Sequence, residues 1–402
     1  MLITGVNKNF DVEVDLVGSK SESNRVLMIG YYGGFAPRVK NLSTSDDTVL
    51  LKKILDSIVR TRRATIECAN AGTVLRFLAT ALAFREGEWI LTGSDRMLQR
   101  PVGDLVDALR TMGADIEYVG KQGFPPLRIN GKSPVRTDRV CPVNITHSSQ
   151  FASSILLAMP VSQTFQETSL HLNGDLSSIP YIDMTIDIMC HFSAHVKRNG
   201  RDIFVQPSDY QDVEYTVESD WTCASYWYEM VAFSENGRAR LHNLHLDSKQ
   251  GDAIVAKWFE QFGVKSTQDG NDVVIVRTDR VCPSDRTYSF DFINNPDLYP
   301  TIAATCAGLG VEGDFKGLRN LKHKESDRVA AMETELAKFY SVQTCHGASL
   351  PIKFDSHNDH RIAMALAPLA MKIGAIEIDN ADVVSKSYPN FWKEFKKITP
   401  NR

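Results

Sequence analysis

Eight residues near the start of the chain, Gly18 to Arg25 (GSKSESNR), set Lys20 and Arg25 among small hydroxyls directly ahead of an apolar run, Val26 to Tyr32. This reads as a helix N-terminus made to hold an anion. Ser21 and Ser23 offer hydroxyls, the first-turn N–H groups lack intrahelical partners, and the helix dipole adds partial positive charge. A purely structural helix start would favour Asp or Glu, because cations there oppose the dipole. A solvated cap with two surface cations explains the octapeptide equally well when it is taken alone. What shifts the balance is recurrence.

The same construction returns along the chain. CANAGTVLRF places Asn70, Gly72 and Thr73 at a turn and Arg76 one turn on; HSSQF brings Ser148, Ser149 and Gln150; HNDHRIAM brings Asp359, His360 and Arg361. INNPDLYPT sets Asp297 just ahead of a proline, Pro300, suited to the first helical position. QRPVGD (Arg100), KESDR (Lys324, Glu325, Arg328) and SKSYP (Lys386) mark the starts of outer, amphipathic helices. Should these ends converge, Lys20, Arg25, Arg76, Arg100, Lys324, Arg328, Arg361 and Lys386 form a cationic cleft suited to phosphates and carboxylates. Cations bind but rarely supply acid–base chemistry, which leaves Asp297 and Glu325. A carboxylate beside Lys and Arg is drawn down in pKa and suits a base, whereas an acid needs burial or a nearby anion. Glu325 reads equally well as a salt-bridge partner of Arg328, three residues on.

Two kinds of element must position these residues. Strand–turn–helix units start at Asn41, Leu91, Leu170, Leu241, Phe315 and Ile376, with helical stripes such as Leu105-Leu109-Met112. Between them lie helices apolar nearly all round, hence buried: Arg25–Tyr32, Thr73–Phe84, Ser149–Met159, Cys223–Phe233, Thr301–Leu309 and Ile362–Met371. Six units with six buried helices predict two halves of three units each, sheets outside and helices inside. A chain of 402 residues is long enough for two cores. Lys plus Arg number 45 against 49 Asp plus Glu, so there is no global basic field and nucleic acid is not an expected partner. Seven cysteines without a CxxC pair point to free thiols in a reducing compartment. The N-terminal MLITGVNKNFDVEV alternates like a strand, without the apolar core of a signal peptide, and no apolar run approaches the roughly 18 residues of a membrane span. The expectation is a cytoplasmic protein with no membrane partner.

Taken in order, GSKSESNR, NAGTVLR, QRPVGDLVDALR, SSQF, PYIDMT, PDLYPTIA, KESDR, NDHRIAMA and SKSYPNFW resemble the 5-enolpyruvylshikimate-3-phosphate synthases over essentially the whole chain. The resemblance implies an α/β fold of two inside-out α/β domains, each of three strand–helix repeats around buried parallel helices. One domain would comprise 1–17 with 222–402 and the other 18–221, closing on their substrates. It further implies that Lys20, Ser21, Arg25, Ser148, Ser149, Gln150, Ser178, Asp297, Asn320 and Lys324 bind shikimate 3-phosphate. Lys20, Gly72, Arg100, Gln150, Arg328, Arg361 and Lys386 would hold phosphoenolpyruvate. Asp297, with Lys20, would act as base on the shikimate 5-hydroxyl, and Glu325 as the acid that protonates the methylene carbon of phosphoenolpyruvate. No metal or organic cofactor is implied, and a monomer is expected.

The sequence departs from the family pattern at Ala69 (usually Gly), Phe77 (often Pro) and Ser219 (usually Gly), and the stretch from Ser57 to Thr65 is shortened by much of a strand–turn–strand. Two other readings are weaker. UDP-N-acetylglucosamine enolpyruvyl transferases commonly carry a Cys where TGSDRMLQRP has none, and a noncatalytic anion-binding relative has no use for both Asp297 and Glu325.

Overall fold

The computed structural model of the chain describes residues 1–132, 140–161, 168–279, 283, 285–344 and 351–399. The chain divides into two compact units. The first comprises Met1–Ser19, Thr44–Asp46 and Glu218–Arg402; the second comprises Lys20–Ser43 and Asp47–Val217. Each has its own apolar core.

In the second unit the helices are α1 (Lys20–Gly33), α2 (Asp46–Ile58), α3 (Gly72–Ala83), α4 (Gly103–Thr111), α5 (Gln150–Ala158) and α6 (Ile179–His191). Helices α1, α3, α5 and α6 pack on one another. Their all-round apolarity is answered by burial: α3 buries every residue but Thr73, and α5 buries all from Phe151 to Ala158. Helix α1 begins at Lys20 rather than Arg25, because the polar turn SESN is wound into its first turn and buried from Glu22 onward. Two four-stranded sheets share one pattern of a parallel pair extended by an antiparallel hairpin. One runs Arg63–Glu67, Gly87–Thr92, Leu127–Gly131, Asp115–Tyr118; the other runs Val140–Asn144, Thr168–Asn173, Asp202–Gln206, His195–Asn199. Among the described residues, the first repeat has only the two-residue parallel pairing of Val39–Lys40 with Tyr215–Thr216.

The first unit holds α7 (Trp221–Phe233), α8 (Val255–Phe259), α9 (Tyr299–Leu309), α10 (Arg328–Thr344), α11 (His360–Leu366), α12 (Ala370–Ile373) and α13 (Phe391–Phe395). Helix α7 is buried along its whole length and α11 likewise, with α9 packed against both. The sheet Asn9–Val14, Asn236–Leu241, Asp272–Arg277, Val264–Asp269 repeats the parallel-pair-plus-hairpin pattern of the second unit. Side-chain caps start two of these helices: Asp220 accepts from Cys223 N at 3.0 Å, and Asp359 from Arg361 N at 3.0 Å.

Two helix expectations are corrected. The predicted helix Ile362–Met371 is broken into α11, a 3-10 turn at Ala367–Leu369, and α12, because Pro368 supplies no N–H to an α-helical ladder. The sixth outer helix is a 3-10 turn, Ala381–Lys386, followed by the five-residue α13. Lys386 therefore ends a turn instead of starting a helix; Pro389 biases the residue before it away from helical backbone. Cys68, Cys141, Cys190, Cys223 and Cys306 carry free thiols, while Cys282 and Cys345 lie outside the described residues. No helix among the described residues is long and apolar enough to cross a membrane.

Candidate active site

The second unit assembles its candidate residues at the starts of α1, α3 and α5 and at the turns beside them. Lys20, the first residue of α1, lies 3.2 Å from Asp47 Oδ2. One turn on, Arg25 is only 2% exposed and donates four hydrogen bonds: to Ser21 O (2.8 Å), Thr185 Oγ1 (2.7 Å), Ser153 Oγ (3.2 Å) and Tyr181 O (3.0 Å). Burial lowers its pKa to about 10. Arg25 thus ties α1 to α5 and α6 through neutral oxygens. Its guanidinium also lies 5.7 Å from the centroid of Phe77, a fully buried ring. Phe77, which in the sequence is only a departure from a frequent Pro, is therefore part of the floor under Arg25.

At the start of α3, Gly72 admits Arg100: a Cβ there would stand 2.8 Å from Arg100 Nη2. Arg100 Nη1 donates to Asn70 O at 3.2 Å, which fixes the guanidinium against the turn. That turn carries Ala69 at φ +47°, the left-handed region. Gln150 at the start of α5 joins two helices, accepting from Arg76 Nη1 at 2.7 Å and donating to Thr73 Oγ1 at 2.9 Å. Ser148 Oγ accepts from Gln150 N at 3.2 Å, and Ser149 is buried beside it. Ser178 precedes α6 with φ +55° and ψ +35°, a left-handed conformation for a non-glycine residue at a candidate ligand contact. Ser219 is not strained; it donates its N–H to Asn243 O at 2.9 Å.

The first unit brings Asp297, Lys324, Glu325, Arg328, Arg361 and Lys386 into one ionic network. Asp297 sits in the 3-10 turn Pro296–Leu298 that leads into α9. Its Oδ1 is 2.7 Å from Arg328 Nη1 and 3.3 Å from Lys324 Nζ, and its Oδ2 is 2.8 Å from Arg361 Nη2. Burial pushes the Asp297 pKa upward, but Arg361, Lys324 and Arg328 outweigh it and hold the carboxyl well below the usual range. Glu325 Oε2 lies 2.9 Å from Arg328 Nη2, and its Oε1 lies 3.9 Å from Lys386 Nζ. Asn320 stands in the 3-10 turn Arg319–His323, just ahead of Lys324.

Asp359, which the sequence offers as part of a polar helix start, and Asp252, which sequence reasoning does not single out, complete this network. Asp359 accepts from Arg328 Nε at 2.8 Å, from Ser326 Oγ at 3.0 Å and from Arg361 N, so one side chain caps α11 and orients both arginines. Arg328 is 1% exposed and faces three carboxylates, which overcome its burial and raise its pKa. Asp252 accepts from Thr222 Oγ1 at 2.5 Å and Asn295 Nδ2 at 3.2 Å, gripping the turn that carries Asp297. Burial, followed by the charge of Asp297, pushes the Asp252 pKa up to about 6. Two carboxyls in one neighbourhood are thereby driven apart, one held ionised and one made easy to protonate.

The sequence profile of EPSP synthase (3-phosphoshikimate 1-carboxyvinyltransferase) matches residues 6–395. The chain belongs to the EPSP synthase family. Among the members of that family it resembles is the 3-phosphoshikimate 1-carboxyvinyltransferase of Bacteroides fragilis, 37% identical over 405 residues, with 96% of this chain and 94% of that one covered. Another, from Methanoculleus marisnigri, is 36% identical over 339 residues, covering 82% of this chain and 78% of that one. The solved EPSP synthase structure from Acinetobacter baumannii superposes with a TM-score of 0.73 at 21% identity, covering 99% of this chain and 98% of that one, and shows the same fold. An EPSP synthase is an enolpyruvyl transferase, and the mixed α/β architecture of both units is that of the family.

Proposed function

We propose that the chain transfers the enolpyruvyl group of phosphoenolpyruvate to the 5-hydroxyl of shikimate 3-phosphate, the shikimate-pathway step of its family, releasing phosphate. The observation that supports this most directly is Asp297, a carboxylate kept ionised by three cations within 3.3 Å, with Glu325 on the far side of the same Arg328.

In this reading Asp297, aided by Lys20, accepts the proton of the 5-hydroxyl as its oxygen bonds to C2 of phosphoenolpyruvate. Glu325 delivers a proton to the C3 methylene, and the positive charge that develops at C2 is quenched by the incoming oxygen. The adduct then loses a proton from its methyl carbon and expels phosphate from C2, which restores the double bond as an enol ether. Proton donor and acceptor exchange roles between the two halves of the reaction. Lys20, Gly72, Arg100, Gln150, Arg328, Arg361 and Lys386 are assigned to phosphoenolpyruvate. Lys20, Ser21, Arg25, Ser148, Ser149, Gln150, Ser178, Asp297, Asn320 and Lys324 are assigned to shikimate 3-phosphate. Cations matched to phosphate and carboxylate support the assignment. An anionic substrate near Arg328 and Lys386 also supplies the negative charge that favours a protonated Glu325. The protein is proposed to work as a cytoplasmic monomer.

The test is phosphate release from purified protein. Release is expected only when phosphoenolpyruvate and shikimate 3-phosphate are both present. Release with UDP-N-acetylglucosamine in place of shikimate 3-phosphate would overturn the substrate, and no release with either acceptor would return the chain to a binding role.

A further inference from the structure

The connection after α2 has a structural consequence away from the site residues. In the other two repeats of the second unit, the outer helix is followed by an antiparallel hairpin that completes a four-stranded sheet: Asp115–Tyr118 with Leu127–Gly131 after α4, and His195–Asn199 with Asp202–Gln206 after α6. After α2 the chain turns at once into Arg63–Glu67, a strand of the neighbouring sheet. The first repeat thus has no hairpin to cover its helices. Where that hairpin is missing, the second unit contains a cavity of about 1010 Å³. It is lined by the last two turns of α1, the C-terminal half of α2 and the C-terminal ends of α3 and α5, with Phe35, Pro37 and Val39 closing one side. None of the residues assigned above to either substrate lines it. From Lys20 at the start of α1 to Tyr31 in the wall is about 16 Å along the helix, at 1.5 Å per residue.

The wall is aromatic and aliphatic, with Tyr31, Tyr32, Phe35 and Phe84 as its largest members. Its charged groups are few. Lys52 and Asp56 pair with each other at 2.8 Å, exposed at the rim. Arg85 is different: half-buried, it donates to Val59 O at 2.9 Å beside the Tyr31 phenol, and among the described residues no carboxylate pairs with it. A concave apolar site of this size with one uncompensated guanidinium has the make-up of a small-molecule pocket, and the guanidinium selects an anion whose plane it can match.

We propose that this cavity is a second ligand site, separate from the substrate site, for an apolar monocarboxylate: an aromatic or acyl body against Tyr31, Tyr32, Phe35 and Phe84, with its carboxylate on Arg85. The occupant's body is chosen by the wall and its head by Arg85, since Lys52, the other cation of the lining, is paired with Asp56.

The probes are 3-phenylpropanoate (aromatic body), decanoate (acyl body) and decan-1-ol (acyl body without the charge), titrated into the full chain by calorimetry. At least one of the two carboxylates is expected to bind saturably at one site, and whichever is tighter identifies the body. Arg85→Leu is expected to weaken the carboxylates at least tenfold and to leave decan-1-ol unchanged. Should Arg85→Leu fail to fold, Arg85→Gln replaces it with the same expectation. Val59→Trp, at a position 59% exposed on the cavity rim, is expected to block every probe without disturbing the core or phosphate release. Three results would overturn the proposal: no carboxylate binding at millimolar concentration, binding that survives both Val59→Trp and the loss of Arg85, or displacement of the probe by shikimate 3-phosphate. Decan-1-ol binding as tightly as decanoate would overturn the carboxylate class.

Discussion

Asp297 gathers charge from three directions, since Lys324 precedes α10, Arg328 opens it and Arg361 lies in α11. Such a carboxylate is fixed in place and kept ionised, which suits a base whose conjugate acid must give its proton up again. Asp297→Asn and Glu325→Gln are therefore expected to lower kcat roughly 10²–10⁴-fold, the usual range for a lost general acid or base, with KM changing much less. Steady-state kinetics on variants checked for folding decide the matter; a Glu325→Gln enzyme with unchanged kcat would leave Glu325 as only the ion-pair partner of Arg328. Ala69 allows a second test. Its φ of +47° strains an L-residue by roughly 1–2 kcal/mol, whereas glycine there adds about 0.4–1 kcal/mol of unfolded-chain entropy. Ala69→Gly should stabilise the protein by up to about 1 kcal/mol, read as a Tm rise of roughly 2–4 °C by differential scanning calorimetry. A lower Tm would mean that the turn does not need the glycine its backbone angle calls for. At this scale the sequence is legible where a residue type is chemically odd in its place, as with Lys20 beside a helix start or Glu325 amid cations. It offers Asp359 only as part of a polar helix start and is silent on Asp252. Both read as ordinary polar residues until the fold sets one against Arg328 and the other against Asn295.

Helix α7 reads from sequence as buried, and it is, yet Glu229 sits at its centre fully buried, with neither carboxyl oxygen in a hydrogen bond among the described residues. Burial raises its pKa well above the ordinary 4.5. In the unfolded chain Glu229 ionises above about pH 4.5, while in the folded chain it keeps its proton to a higher pH. Between those values the folded state binds more protons, so stability falls as pH rises, by at most about 1.4 kcal/mol per pH unit. Glu229→Gln cannot ionise and lacks that slope. Urea unfolding at pH 5, 6 and 7 should show the variant gaining on the wild type at each step; a constant difference would mean that Glu229 does not carry the extra proton. Apolar periodicity reveals that a helix is buried, but it is blind to one polar residue whose neighbours come from other elements. The sixth outer helix misleads for a local reason: SKSYP reads as a helix start at Lys386, whereas a 3-10 turn ends there and, beyond Pro389, the helix has five residues.

Across the whole molecule, the recurrence of strand, turn and helix is readable because one solution recurs: apolar helices within and sheets outside, three of which are a parallel strand pair plus hairpin. What is unreadable is the sheet order, since pairing is set between segments far apart, such as Asn9–Val14 with Asn236–Leu241. Local charge is likewise a property of the fold: a chain with net charge −4 still concentrates Lys324, Arg328 and Arg361 around one carboxylate. Anions that neutralise such cations bind the native chain and not the unfolded one, in which the cations are dispersed. Saturating shikimate 3-phosphate, at about a hundred times its Kd, should then add about 2.7 kcal/mol to unfolding and raise Tm by roughly 5–10 °C. The protection should weaken with added salt, as expected for charge pairing that ions can screen. Ser148→Ala in the second unit and Lys324→Ala in the first should each reduce it, since each removes a group assigned to that ligand. Thermal melts of the three proteins, with and without shikimate 3-phosphate at two salt concentrations, provide the measurement. Full protection of Lys324→Ala would remove that residue from the ligand's contacts, and a flat Tm for an enzyme that turns over would refute the linkage altogether.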